Sequence, residues 1–144
     1  ASARRPVSVP LIHPDTTFLV DLLREIVRKT AGPATRFLDG RMDEDLWIDV
    51  HVACEILAGA ELSPHPSRER EHVRRLFEGV RIAFPDERFP SVYARLLAWH
   101  ERAGRRVPTM DLLIATAAIV DQAPLVTRNV KDFSRIPDLV VLAY

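Results

Sequence analysis

The sequence predicts an α/β fold, a three-layer α/β/α sandwich in which helices cover both faces of a parallel sheet. Short apolar, β-branched segments alternate with longer stretches of helical period, which is the signature of strands joined by crossover helices. The 144 residues make one domain of ordinary size, long enough to bury a core without staples. Four carboxylates, Asp15, Glu55, Asp111 and Asp132, lie at the edge of or inside apolar stretches, and in such sheets ligands bind beyond the strands' carboxyl ends.

The elements follow in order. Val7 to Ile12 is apolar and β-branched enough for a first strand, ended by His13-Pro14 just before Asp15-Thr16-Thr17. From Thr17, apolar residues at Phe18, Leu19, Leu22, Leu23, Ile26 and Val27 recur with helical period, and Gly32-Pro33 closes that helix. A second helix from about Pro33 to Leu38 leads into the charged turn Asp39 to Asp45. Leu46-Trp47-Ile48 is a short strand, and Asp49 is an N-cap for a helix from Val50 to Ala60. Ser63-Pro64-His65-Pro66 breaks the chain before an arginine- and glutamate-rich helix, Arg68 to Phe77. Val80 to Phe84 is a strand, Pro85-Asp86 a turn, and Phe89 to Ala103 an amphipathic helix stopped by Gly104. The helix opening at Pro108-Thr109-Met110-Asp111 is apolar nearly all round through Val120, so it belongs at the centre of the fold. Leu125-Val126-Thr127 is a strand stub, Asn129 to Phe133 a turn or short helix, and Leu139 to Leu142 the last strand.

Composition excludes several classes. Hydrophobic residues are 47% and charged residues 28%, with no apolar run near the length of a membrane span, so a soluble, cytoplasmic protein is expected. Residues 1–10 carry two arginines but neither a long apolar core nor a clear cleavage site, which argues against a secretory signal. Cys54 is the sole cysteine, which rules out an internal disulfide, and its apolar helix predicts an inert core thiol. Twenty basic and twenty acidic residues balance to zero, against a bulk non-specific nucleic-acid binder. Arginine supplies nearly all the positive charge, however, and it is the side chain best suited to phosphate.

Each acidic residue has a bland reading beside its chemical one. Asp15 serves equally as a turn residue and helix N-cap, and Asp111 as a partner for the helix dipole in its first turn. Glu55 is harder to dismiss, because its helical neighbours His51, Val52, Ala58 and Gly59 offer no lysine or arginine within a turn. Asp132 sits in a loop where Lys131 or Arg135 could pair with it, and Thr127 and Asn129 supply polar groups just after a strand. Burying one unpaired carboxylate is costly and burying four calls for a shared counter-ion. For hard oxygen ligands that ion is Mg²⁺ or Mn²⁺, which points to phosphate-ester chemistry. The Arg68 to Arg75 stretch reads as a solvated face or an RNA contact. His13 is structural or supports Asp15 from behind, and no histidine pair has zinc-binding spacing.

With these residues placed, the chain resembles the PIN-domain ribonucleases, most closely the VapC toxins of bacterial VapBC toxin–antitoxin pairs. Leu11-Ile-His-Pro-Asp15-Thr-Thr-Phe-Leu-Val-Asp-Leu-Leu-Arg24 is similar to the family's opening Asp-Thr-Asn/Ser motif. Asp49-Val-His-Val-Ala-Cys-Glu55-Ile-Leu-Ala-Gly-Ala-Glu61 resembles its Ser-x5-Glu-Leu-x2-Gly-Ala-Glu helix, and Pro108-Thr-Met-Asp111-Leu-Leu-Ile-Ala-Thr-Ala117 its Asp-x-Leu-Ile-Ala-Ala-x-Ala helix. Leu125-Val-Thr-Arg-Asn-Val-Lys-Asp132-Phe133 resembles the closing Thr-Arg-Asn-x-x-Asp/Glu-Phe. Thr17 stands where Asn or Ser is usual, and Asp49 where Ser is. The resemblance implies a flexible lead-in over residues 1–9, a PIN domain over residues 10–144, and a sheet of four to five parallel strands. It further implies a Mg²⁺- or Mn²⁺-dependent endoribonuclease toxin, an RNA substrate such as tRNA or another structured RNA, a VapB-like antitoxin that inhibits it, and usually a homodimer. Asp15 and Asp111 are then the direct metal ligands, Glu55 and Asp132 complete the acidic pocket, and Thr127 and Asn129 orient water or phosphate. Two rivals remain: a PIN-fold module acting mainly in a DNA-binding antitoxin complex, and a small-molecule phosphatase, which would need Asp-x-Asp where Asp15 is followed by Thr16 and Thr17.

Overall fold

The computed structural model describes residues 11–78 and 80–144. The lead-in expected over residues 1–9, and the start of the first strand expected from Val7, lie outside them. Strand β1 is Leu11–Pro14, followed by helices α1 (Thr16–Arg28) and α2 (Pro33–Asp39). Strand β2 (Asp45–Asp49) leads into α3 (Val50–Glu61) and α4 (Pro66–Phe77). Strand β3 (Arg81–Ala83) precedes α5 (Phe89–Arg102) and α6 (Thr109–Val120), and the chain closes with β4 (Leu125–Val126), α7 (Val130–Phe133) and β5 (Val141–Leu142).

The five strands form one parallel sheet in the order β3-β2-β1-β4-β5. β1 is central and buried along its whole length, as a strand covered on both faces must be. The connections to β2 and β3 run outward one way and those to β4 and β5 the other. Right-handed crossovers therefore place α1 to α4 on one face and α5 to α7 on the opposite face. The direction of winding reverses between β1 and β4, which leaves a crevice at the carboxyl ends of these two neighbours. Pairing there is tight: His13 pairs with Leu125 and Pro14 with Val126. The amides of His13 and Asp15 reach the carbonyls of Pro124 and Val126, both at 3.0 Å. Pro14 has no N–H to give to β2, and the β1–β2 pairing ends before it, at Ile12 and Leu46.

Element boundaries differ from expectation for identifiable reasons. α4 begins at Pro66, because proline is suited to the first helical turn, so part of the expected breaker is helix. α1 stops at Arg28 because Lys29 adopts a left-handed conformation (φ 54°), four residues before Pro33. β4 and β5 each keep only two paired residues, fewer than the apolar runs around them.

Side-chain burial gives two corrections. α3 buries the face formed by Val52, Ala53, Ile56 and Ala60, and this turns Cys54 outward, so the thiol is exposed rather than core. Core packing is the use the sequence favours for both tryptophans: Trp47 does pack into the interior with Leu11, Ala83 and Ala123, whereas Trp99 is 43% exposed. α6 follows its pattern, with Leu112, Ile114, Ala115, Thr116, Ala117 and Ala118 all buried.

Candidate active site

The crevice between β1 and β4 is built around Asp15. Leaving the sheet in an extended conformation, Asp15 caps α1: its Oδ1 accepts the Phe18 amide at 3.0 Å and the Thr17 hydroxyl at 2.7 Å. Its Oδ2 accepts the Thr127 hydroxyl at 2.5 Å, a contact between residues 112 positions apart. Asp15 is 3% exposed, and burial pushes its carboxyl above the ordinary value although the Thr127, Thr17 and Phe18 hydrogen bonds pull it down. An ionised Asp15 is therefore held at a cost in this conformation.

The threonines around it form a relay. Thr17 also accepts the Arg128 amide at 3.1 Å and lies 3.5 Å from the Thr127 hydroxyl. Thr127 is completely buried, and its oxygen accepts the Asn129 amide at 2.8 Å. With its proton on Asp15, Thr127 orients that carboxylate and has no surface from which to meet substrate. The Asn129 side-chain amide is half-buried and makes no hydrogen bond among the described residues.

The other three acids line the same edge with decreasing burial. Glu55 is half-buried at the rim of α3's apolar face and receives the Thr16 hydroxyl at 2.5 Å. Asp111 is half-buried in the first turn of α6; burial, then the negative charges of Glu55, Asp15 and Asp132, push its carboxyl above its ordinary value. Asp132, in α7, is exposed, so the expectation of four buried carboxylates holds fully only for Asp15. Among the described residues no arginine or lysine forms an ion pair with any of the four, and neither Lys131 nor Arg135 takes the Asp132 side chain.

These residues fit a divalent cation. The donors are oxygens, the mutual repulsion felt by Asp111 is what a cation relieves, and among the described residues no cationic side chain stands in its place. Among the described residues no three acidic, histidine or cysteine side chains converge into a ready-made cage.

Several supporting contacts had no signal in the sequence. Asp21, one turn beyond Thr17, takes the Arg128 guanidinium at 3.0 Å and the Tyr144 hydroxyl at 2.5 Å. This clamps the segment that carries Thr127 against α1. Burial, then this hydrogen bond, holds the Tyr144 phenol well above its ordinary value. His13 is buried and turns its Nε2 to Asp121 at 2.8 Å. Asp49 does cap α3, and its buried carboxylate is occupied by the His51 amide at 3.2 Å and Nδ1 at 3.0 Å, apart from the acidic site.

A doubly wound sheet with carboxylates gathered at its switch point defines an α/β protein with a built-in acidic, cation-suited crevice. The PIN domain family matches residues 12–139, and the chain belongs to that family. It is 31% identical over 128 residues to Ribonuclease VapC19 of Mycobacterium tuberculosis, covering 87% of this chain and 94% of that one. Ribonuclease VapC1 of Haemophilus influenzae is 27% identical over 125 residues, covering 87% and 91%. In structure the chain is similar to the complex VapBC2 from Rickettsia felis bound to a promoter DNA fragment, with TM-score 0.85, 23% identity and coverage of 93% and 98%. Among the described residues, no helix is long and apolar enough to cross a membrane.

Proposed function

We propose that the chain is the toxin of a type II toxin–antitoxin pair, a Mg²⁺- or Mn²⁺-dependent endoribonuclease that acts in the cytoplasm and is inhibited by a VapB-like antitoxin. The observation that carries this is the acidic crevice: Asp15 is fixed at the switch point by Thr17, Phe18 and Thr127, and the Asp111 carboxyl is pushed up by burial and by three neighbouring acids that no cation among the described residues offsets. The matching relatives named as ribonucleases support the same reaction class, and the VapBC complexes among the structural neighbours support the partner.

Asp15 and Asp111 hold the metal directly, and Glu55 and Asp132 complete the pocket, directly or through water. A divalent cation bound there supplies positive charge for the scissile phosphate and lowers the pKa of a coordinated water. Thr127 fixes which Asp15 oxygen faces the crevice. Asn129, whose side-chain amide is uncommitted, orients water or a phosphate oxygen. Thr16 holds Glu55 at the rim.

Cleavage of total RNA with Mg²⁺ or Mn²⁺, with EDTA, and by Asp15→Ala or Asp111→Asn protein tests the reading. Specific fragments that vanish with EDTA and with either variant are expected. A folded, metal-replete, antitoxin-free protein that cuts nothing would move the assignment to a binding module of a DNA-bound complex.

A further inference from the structure

Eight arginines on two helical surfaces of this protein are in opposite electrostatic states. On α4, which the sequence offered as a solvated face or an RNA contact, Arg68 pairs with Glu69, Arg70 with Glu61, and Arg74 and Arg75 with Glu71. Each of these four arginines has a carboxylate partner, supplied by α4 itself or, for Arg70, by the end of α3. Arg95 and Arg102 on α5, and Arg105 and Arg106 on the connection to α6, are exposed and form no ion pair among the described residues. Arg95 and Arg102 line an open groove of about 630 Å³ on α5, where the small side chains of Ala94, Ala98 and Ala103 leave room beside Trp99. The Trp99 ring is 43% exposed and is steadied edge-on against the buried His100 ring, with centroids 4.8 Å apart.

We infer that this face of α5 is a landing groove for single-stranded RNA, with Trp99 as a platform on which a base stacks and Arg95, Arg102, Arg105 and Arg106 as the charges that hold the phosphates. The inference rests on the ribonuclease reading and deepens it. Exposed aromatic surface combined with unpaired cations is what sequence-tolerant single-strand binding requires, since every base has a stacking face and every linkage a charge. An acidic protein segment would answer the arginines but leave the indole without a matching partner. A second copy docked here about a two-fold axis would set arginine against arginine. The strip also leads to the chemistry: α5 and α6 pack together, and Arg105 and Arg106 lie on the link into the turn that presents Asp111. RNA held on α5 is thereby directed to the acidic crevice.

Binding of a fluorescein-labelled single-stranded RNA of mixed sequence, measured in EDTA so that it is not cut, tests the groove. Trp99→Ala should weaken binding roughly 5- to 150-fold, the range that loss of one stacked base corresponds to. Trp99→Tyr should keep most of the affinity. Arg95→Ala with Arg102→Ala should lower the slope of log affinity against log salt by about 1.4, or ~0.7 for each phosphate released. RNA should also quench the emission of exposed Trp99, while buried Trp47 is unaffected. Asp111→Asn should bind normally in EDTA yet fail to cleave in Mg²⁺, so binding and chemistry are read separately. If wild-type protein binds and cleaves RNA but the groove variants match it in affinity and salt slope, the groove assignment falls and the ribonuclease reading stands. If the variants instead dissociate a dimer in light scattering with affinity per protomer unchanged, the face joins two copies and the assignment also falls. Groove-dependent binding without metal-dependent cleavage would support the groove and sink the ribonuclease reading.

Discussion

Replacing Thr127 by valine isolates the contact on which the site's geometry depends. Valine has nearly the same shape, so a fully buried position loses a hydroxyl without gaining a cavity. Two partners are then stranded: Asp15 Oδ2, which received the hydroxyl at 2.5 Å, and the Asn129 amide, which donated to it at 2.8 Å. A hydrogen bond to a charged group contributes about 1.5–3 kcal/mol, and an unsatisfied buried donor costs about 1–3 kcal/mol. These terms overlap, so a loss of roughly 2–4 kcal/mol at neutral pH is expected. For a domain of this length that corresponds to about 4–16 °C in Tm. The loss should also depend on pH. Asp15 in the folded protein is already raised above its ordinary value of 3.8, so its contribution to stability is greatest below that value and falls as pH rises through the folded pKa. Removing a hydrogen bond that favours the charged form raises the folded pKa further, and the deficit should widen from acid towards neutral pH. Urea unfolding followed by circular dichroism at several pH values measures this, with Thr127→Ser as the control that keeps the hydroxyl. A deficit below about 0.5 kcal/mol, the scatter of ordinary surface substitutions, or one that does not change with pH, would refute the assignment.

Asp111→Asn should raise Tm in EDTA, because burial and the charges of Glu55, Asp15 and Asp132 disfavour its ionised form, with the gain largest at neutral pH. The same variant should lose the stabilisation that Mg²⁺ gives wild-type protein in thermal melts. Glu25 caps α2 from the preceding helix, accepting the Gly32, Ala34 and Thr35 amides at 2.7, 3.1 and 2.9 Å. Burial opposes its ionisation, but these bonds outweigh it and hold the carboxyl below 4.5, so its stabilisation is present above that pH and lost as pH falls through the folded value. Glu25→Ala should cost about 1–2 kcal/mol in urea unfolding at pH 7. Gly32→Ala should damage the same cap, since a Cβ there would lie 2.7 Å from the Glu25 carboxyl carbon, and the double variant should be no worse than the sum of its parts. Cys54 should react with Ellman's reagent in the native protein as readily as in urea; slow native labelling would contradict the outward orientation of its side chain.

Local pattern carried a large part of this structure. The alternation of apolar runs, the all-round apolar helix after Pro108 and the Asp49 cap follow from the periodicities of strand and helix and from capping chemistry, which act over a few residues. The four motif acids stood out because each lies at the edge of or inside such a pattern. What the pattern could not supply is partnership between distant residues. That Asp15 is clamped by Thr127, that Asp21 holds both Arg128 and Tyr144, and that His13 turns to Asp121 depend on pairings over more than a hundred residues, created when β4 lies beside β1 and not beside β3. The same limit explains Cys54 and Trp99, whose apolar surroundings in sequence say nothing about which side of a helix meets another layer. Residue order therefore determined the elements and the identity of the acids, because those depend on short-range sterics and periodicity. Only the tertiary structure decided which charges are buried, which are neutralised and which stay free, because solvation and Coulomb energy depend on distance in space and not along the chain.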